Sequence, residues 1–135
     1  MNVIVCVDDQ RGMLFNKRRL SRDEAVVKDI FSMTDKIWVH TFSEKMMSEY
    51  GATCIVNDAF LDMATEGEYC FVENQSIVPY EEKIERLIVY QWNRKYPSDF
   101  KLDIKLDKWR SLSREEFGGK SHEKITREIY ERGLS

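Results

Sequence analysis

Cysteine is scarce in this sequence, and none of it is spaced for chemistry. Cys6, Cys54 and Cys70 are the only three among 135 residues. No two form a CxxC pair, the count is odd, and each lies in an apolar run of strand character. Buried, reduced thiols are therefore expected rather than disulfides or a metal site. Histidine is scarcer still. His40 and His122 stand alone, read here on separate strands with no cysteine or carboxylate at ligand spacing, which argues against zinc or any other metal. No stretch reaches the ~18 apolar residues of a membrane span. The opening MNVIVCV lacks the basic start and small-residue cleavage site of a secretory signal, so a cytoplasmic protein is expected. There is no GxSxG element to mark a serine nucleophile, no internal repeat and no low-complexity tract. A basic patch is also missing. The 21 lysines and arginines interleave with 24 acids to a net charge of -3, leaving no footprint for nucleic-acid phosphates. The densest basic run, Lys17-Arg18-Arg19 followed by Arg22, reads as a solvated loop face.

What is present is enough apolar residue for one core. At 42% hydrophobic content over 135 residues, a single domain can bury its interior without a disulfide or metal. The stretch from Gly67 to Trp92 organises the rest: a strand at Tyr69 to Val72, a polar turn at Glu73-Asn74-Gln75-Ser76, a helix near Pro79 to Ile84, and a strand at Arg86 to Trp92. Together they predict a β-α-β crossover. In an open α/β sheet, ligands sit beyond the carboxyl ends of strands, which puts the Glu73 to Ser76 turn at a binding position.

The remaining chain alternates in the same way. Val3 to Val7 is a β-branched strand, and Asp8 to Gly12 ends it. Met13 to Leu20 reads as an irregular loop. Ser21 with Glu24 forms a capping box before a helix whose apolar stripe is Val26, Val27, Ile30 and Phe31. Lys36 to Phe42 is a strand, Ser43 caps a helix from Glu44 to Glu49, and Gly51 stops it. Ala52 to Val56 is a third strand, Asp58 caps a helix through Ala64, and Gly67 ends that helix in the left-handed region. Such alternation predicts a largely parallel sheet flanked by helices. Asn93 to Asp107 is polar and reads as a wrap around the sheet edge. Trp109 to Phe117 and His122 to Glu131, separated by Gly118-Gly119-Lys120-Ser121, predict a closing antiparallel hairpin.

This order resembles dihydrofolate reductase. IVCVDDQRGMLF is similar to that family's first strand and the turn into its mobile active-site loop. SRDEAVVKDIF resembles its first helix, with the pterin-binding acid matched by Asp23. EYCFVENQSIVPYEEKIERLIVYQW is similar to its strand, cofactor turn, helix and next strand. YPSDFKL resembles its acidic turn, and DKWRSLSREEF with HEKITREIYER its terminal hairpin. The resemblance implies an α/β fold of that type over the whole chain. It implies Asp23 and Tyr90 as catalytic residues, Val5, Cys6 and Phe31 against the substrate, and His40, Ser43, Glu73, Asn74, Gln75 and Ser76 along an NADPH cofactor.

Several positions depart from the family pattern. Its Gly-Gly pair, which lets backbone approach the cofactor pyrophosphate, is replaced by Glu73-Asn74-Gln75, and a carboxylate opposite a diphosphate is repulsive. Its Gly-Arg-x-Thr element reads Val39-His40-Thr41-Phe42-Ser43, without arginine. Asn16-Lys17-Arg18-Arg19-Leu20 replaces its Leu-Pro-Trp segment. Tyr90 stands for its pterin-side threonine, and the arginine that pairs with the folate tail is absent from Ser48 to Thr53. The resulting expectation is a protein that binds a small pterin- or nucleotide-like heterocycle without hydride transfer. Two alternatives stand beside it. One is an NADPH-dependent reductase, with Asp23 as proton relay and Ser43, Ser76 and the basic loop on the cofactor. The other is a scaffold for protein contact through the Arg11 to Arg22 loop, with a homodimer among its forms.

Overall fold

Asn2–Val7 (β1) sends Val3, Val5 and Val7 to one side and Ile4 and Cys6 to the other. Apolar residues facing both ways require a strand inside a sheet that is covered on both faces. The computed structural model describes residues 1–133 and places β1 in that position. The elements that follow are Gly12–Phe15 (β2), Arg18–Arg19 (β3), Glu24–Met33 (α1), Ile37–Val39 (β4), Thr41–Glu49 (α2), Ile55–Val56 (β5), Phe60–Met63 (α3) and Tyr69–Phe71 (β6). After a 3-10 turn at Val78–Lys83 come Arg86–Gln91 (β7), Phe100–Lys101 (β8), a second 3-10 turn at Leu106–Lys108, Trp109–Phe117 (β9) and Ile125–Arg132 (β10).

Seven strands form the main sheet in the order β5-β4-β6-β1-β7-β10-β9. The first five are mutually parallel, and β10 and β9 close the edge in antiparallel fashion. β1 lies between β6 and β7, so the Gly67 to Trp92 crossover passes over the chain's first strand. The dihydrofolate reductase-like α/β architecture, with its mostly parallel sheet and terminal hairpin, is therefore the observed one. One face of the sheet packs Val3, Val5, Leu87 and Val89 against Phe60, Leu61 and Ile77. The other packs Ile4, Ile88 and Tyr90 against Val26, Val27 and Ile30 of α1 and Met47 of α2. Among the described residues, no helix is long and apolar enough to cross a membrane.

Several local expectations are corrected. Met13 to Leu20 is not irregular but a hairpin, β2 to β3, which joins β8 in a separate three-stranded sheet. Asn16 and Lys17 both adopt positive φ, at 52° and 63°, the geometry of a two-residue primed turn. The strand expected over Lys36 to Phe42 is only Ile37–Val39, because α2 already starts at Thr41 and His40 caps it, its Nδ1 accepting from Phe42 N at 2.9 Å. Ser43 is thus inside α2. Asp58 does not cap α3. Its carboxylate accepts from Thr41 N and Thr41 Oγ1 at the start of α2, while Asn57 holds Ala59 N. His122 lies in the turn before β10, so neither histidine is on a strand.

Candidate functional site

β6 ends opposite Ile4 of the parallel β1, which runs on to Val7, and the chain leaving β6 runs straight into Glu73. That carboxylate is buried at 8% exposure. A carboxylate in such a place needs partners, and it has three. Arg19 of β3 donates from Nε and from a terminal nitrogen, each at 2.9 Å, in bidentate fashion. Ser43 Oγ donates at 2.6 Å. Arg19 also lies over the Phe42 ring, 4.9 Å from its centroid, and donates to the Phe42 carbonyl. The hydrogen bond to Glu73, against the opposing effect of burial, raises the guanidinium further above its ordinary value. The short β2 to β3 hairpin thus plugs the end of the parallel sheet with a fully paired ion pair. Arg19, read in sequence as part of a solvated loop face, is the residue that sequence reasoning missed here.

Beside the plug, Cys6, Asp23, Val26, Val27, Phe71 and Trp92 line a cleft of only about 10 Å³, the space of about one water. Burial first, then the nearby Glu73 charge, pushes the Cys6 thiol well above its ordinary value. Burial pushes Cys54 up to about 11 and Cys70 up to about 12. With so little thiolate at pH 8, iodoacetamide should alkylate all three at least ~100-fold more slowly than free cysteine. Intact-mass spectrometry checks this, and rapid modification of Cys6 would mean that the cleft opens freely.

Asp23 is the N-cap of α1, displacing the expected Ser21 cap: its carboxylate accepts from Ala25 N at 2.8 Å. It also accepts from Lys120 N at 2.9 Å, from Ser121 N at 2.8 Å and from Ser121 Oγ at 3.1 Å. His122 contributes two more contacts, its backbone N–H at 3.2 Å and its ring Nδ1 at 3.0 Å. Burial alone would raise this carboxyl, but the hydrogen bonds from Lys120, His122, Ser121 and Ala25 outweigh it and hold the group well below the carboxylate range. The loop between β9 and β10 can wrap so tightly because residue 119 is glycine. A Cβ there would stand 2.5 Å from Asp23 Oδ2 and 2.8 Å from the His122 carbonyl.

Tyr90 is not brought to Asp23. Its hydroxyl donates to Asp29 Oδ2 at 2.6 Å, the same atom that Arg127 reaches at 2.6 Å. Burial, then that hydrogen bond, holds its proton far above the ordinary phenol range. Val5 faces the core opposite α1, away from Cys6 and Phe31. Phe31 lines a separate open groove of about 330 Å³ between α1 and the end of α2, with Val27, Lys28, Tyr50 and Thr53. Ser43 and Glu73 meet directly. His40 instead caps α2, with its Nε2 3.4 Å from Asp58. Asn74 buries an Oδ1 with no partner among the described residues, Gln75 is half-buried, and Ser76 pairs with Asp103. Among the described residues there is no group of three His, Cys, Asp or Glu side chains suited to a metal.

The fold is that of dihydrofolate reductase. A solved structure of dihydrofolate reductase from Enterococcus faecalis, complexed with NADP(H) and RAB-propyl, matches 98% of this chain and 96% of its own with a TM-score of 0.69, at 15% sequence identity. No protein-family model matches the chain, and no curated protein sequence does so either. At the turn that the resemblance aligns with the pyrophosphate of a nicotinamide dinucleotide, the Glu73 carboxylate and its Arg19 partner stand in place of the family's glycine pair, beside a cleft of about 10 Å³.

Proposed function

We propose that this chain is a ligand-binding protein of dihydrofolate reductase fold that does not transfer hydride. Its ligand is a small planar heterocycle of pterin or nucleotide type, taken in the groove along α1. The Arg19–Glu73–Ser43 plug carries the reading. Admitting a dinucleotide there would require breaking a bidentate ion pair and then apposing the freed carboxylate to a diphosphate, two unfavourable steps. The open groove supports the location: Phe31 and Tyr50 supply aromatic faces, and Lys28 supplies a cation for an acidic substituent.

Titrations followed by tryptophan fluorescence and thermal shift test both halves. NADPH should give no saturable change up to millimolar concentration. A Glu73→Gly/Asn74→Gly protein, relieved of the carboxylate, should bind NADPH more tightly than the native chain; equal affinity would remove that turn from the argument. A panel of pterins and nucleotides should give one saturable binder whose affinity falls at least ~10-fold in Phe31→Ala. Micromolar NADPH binding by the native protein would instead favour the reductase alternative and require Arg19 to leave Glu73.

A further inference from the structure

The contact between the β9 to β10 loop and the start of α1 holds a second constellation, whose side chains are not those of the plug's ion pair or of the groove along α1. Ser21 Oγ lies 2.9 Å from His122 Nε2, and His122 Nδ1 lies 3.0 Å from Asp23 Oδ2. An ionised Asp23 can only accept, so a ring hydrogen is assigned to Nδ1, and an imidazole carrying that hydrogen alone offers Nε2 as an acceptor to the Ser21 hydroxyl. The ring is fixed by stacking on Trp92, with centroids 4.6 Å apart and planes at 22°. Asp23 is fixed by its backbone donors. Ser21 itself is half-buried, whereas His122 and Asp23 are buried. A hydroxyl at the accessible end, a base behind it and an orienting carboxylate behind the base reproduce the relations of a nucleophilic triad.

The surroundings offer a place for substrate. Ser21 lines the tight cleft of about 10 Å³ beside the plug, and next to it, through Leu20, lies an open groove of about 270 Å³ walled by Phe15, Arg18, Arg19, Leu20, Tyr96 and Pro97. Leu20 precedes Ser21 in the chain. The Tyr96 hydroxyl, 3.3 Å from His122 Nε2, brings the cavity wall to the same nitrogen. Asp8 fixes this tyrosine by accepting from Tyr96 N at 3.0 Å. Phe15 and Leu20 offer apolar contact, and the exposed Arg18 offers a cation.

We propose that Ser21, His122 and Asp23 form a hydrolytic site for small carboxylic esters bearing an anionic group, bound in the cavity beside Tyr96. Ser21 Oγ attacks the ester carbonyl carbon while its proton passes to His122 Nε2. The tetrahedral oxyanion takes a hydrogen bond from the Tyr96 hydroxyl. Collapse breaks the bond to the alcohol oxygen, which leaves with the proton from Nε2, and the acyl group remains on Ser21. Water, deprotonated by Nε2, then releases the acid and restores the serine hydroxyl. Ser21 and His122 are the catalytic residues. Asp23 is a positioning residue that acts through His122.

A fluorophosphonate probe on the purified full-length protein at pH 8 tests the assignment. Stoichiometric labelling should map to Ser21 by peptide mass spectrometry and vanish in Ser21→Ala, with hydrolysis of p-nitrophenyl esters falling at least ~100-fold. A folded native protein that takes no label, or a Ser21→Ala protein that keeps it, overturns the proposal. A second variant reads the base directly. In Ser21→Cys, the introduced thiol should react with iodoacetamide at pH 6.5 at least ~10-fold faster than glutathione, because only a thiol paired with imidazole is ionised there. A rate at or below that of glutathione would mean that His122 does not activate this position.

Discussion

Asp23→Ala should lower the unfolding free energy by at least about 4 kcal/mol. The substitution removes the α1 cap, worth about 1 kcal/mol, and strips from Lys120 N and Ser121 N the acceptor they have among the described residues. Each of these part-buried hydrogen bonds goes to a charged group and contributes roughly 1.5–3 kcal/mol. Urea denaturation should show a lower midpoint with an unchanged slope. A loss under about 1 kcal/mol would mean that the β9 to β10 loop finds other acceptors. The same carboxylate sets an acid limit. Its folded-state value lies below the unfolded one, so its contribution is complete above the unfolded value of about 4 and is lost as pH falls below that, toward the folded value. Native stability should therefore drop as pH falls below about 4, and Asp23→Ala should flatten that part of the profile.

Arg19→Ala should cost about 3 kcal/mol, at the lower end of what breaking a buried pair costs, because the Arg19 side chain keeps 23% of its surface in water. The paired replacement Arg19→Leu with Glu73→Leu should cost much less than the sum of the two single changes. Glu73 would then no longer be left charged beside Ser43 alone. A double-mutant cycle should give a coupling of about 2 kcal/mol. Additive effects would mean that the plug is two independent side chains rather than one device, and the argument that it excludes a dinucleotide would weaken with it.

The contrast between what was legible and what was not follows from distance along the chain. β-branched runs at Val3 to Val7 and Arg86 to Trp92 announced buried parallel strands, and the strand-like runs on either side of Gly118-Gly119-Lys120-Ser121 announced the closing hairpin. Short elements ended early where a polar side chain captured the backbone. His40 and Asp58 both serve the start of α2, which cut the expected strand at Val39. The β2 to β3 turn was hidden because Asn-Lys, unlike Asn-Gly, gives little sign of two positive-φ residues. The site was less legible than the fold. Arg19 meets Glu73 across 54 positions, and His122 meets Asp23 across 99. Neither pair has a local pattern. The residues were visible as a basic run and a lone histidine, but only folding supplies the partner that gives each a role.

The interleaved strand order has a consequence for synthesis. β1 leaves the ribosome well before both of its neighbours in the sheet, β6 and β7, which begin at Tyr69 and Arg86. Until most of the polypeptide has emerged, an apolar, β-branched segment has no sheet to enter and remains a template for unwanted pairing. Asp23 waits longer still, since its clasp comes from residues 119 to 122. Closure of this part of the fold therefore waits on the β9 to β10 loop, whose donors hold the start of α1 in place.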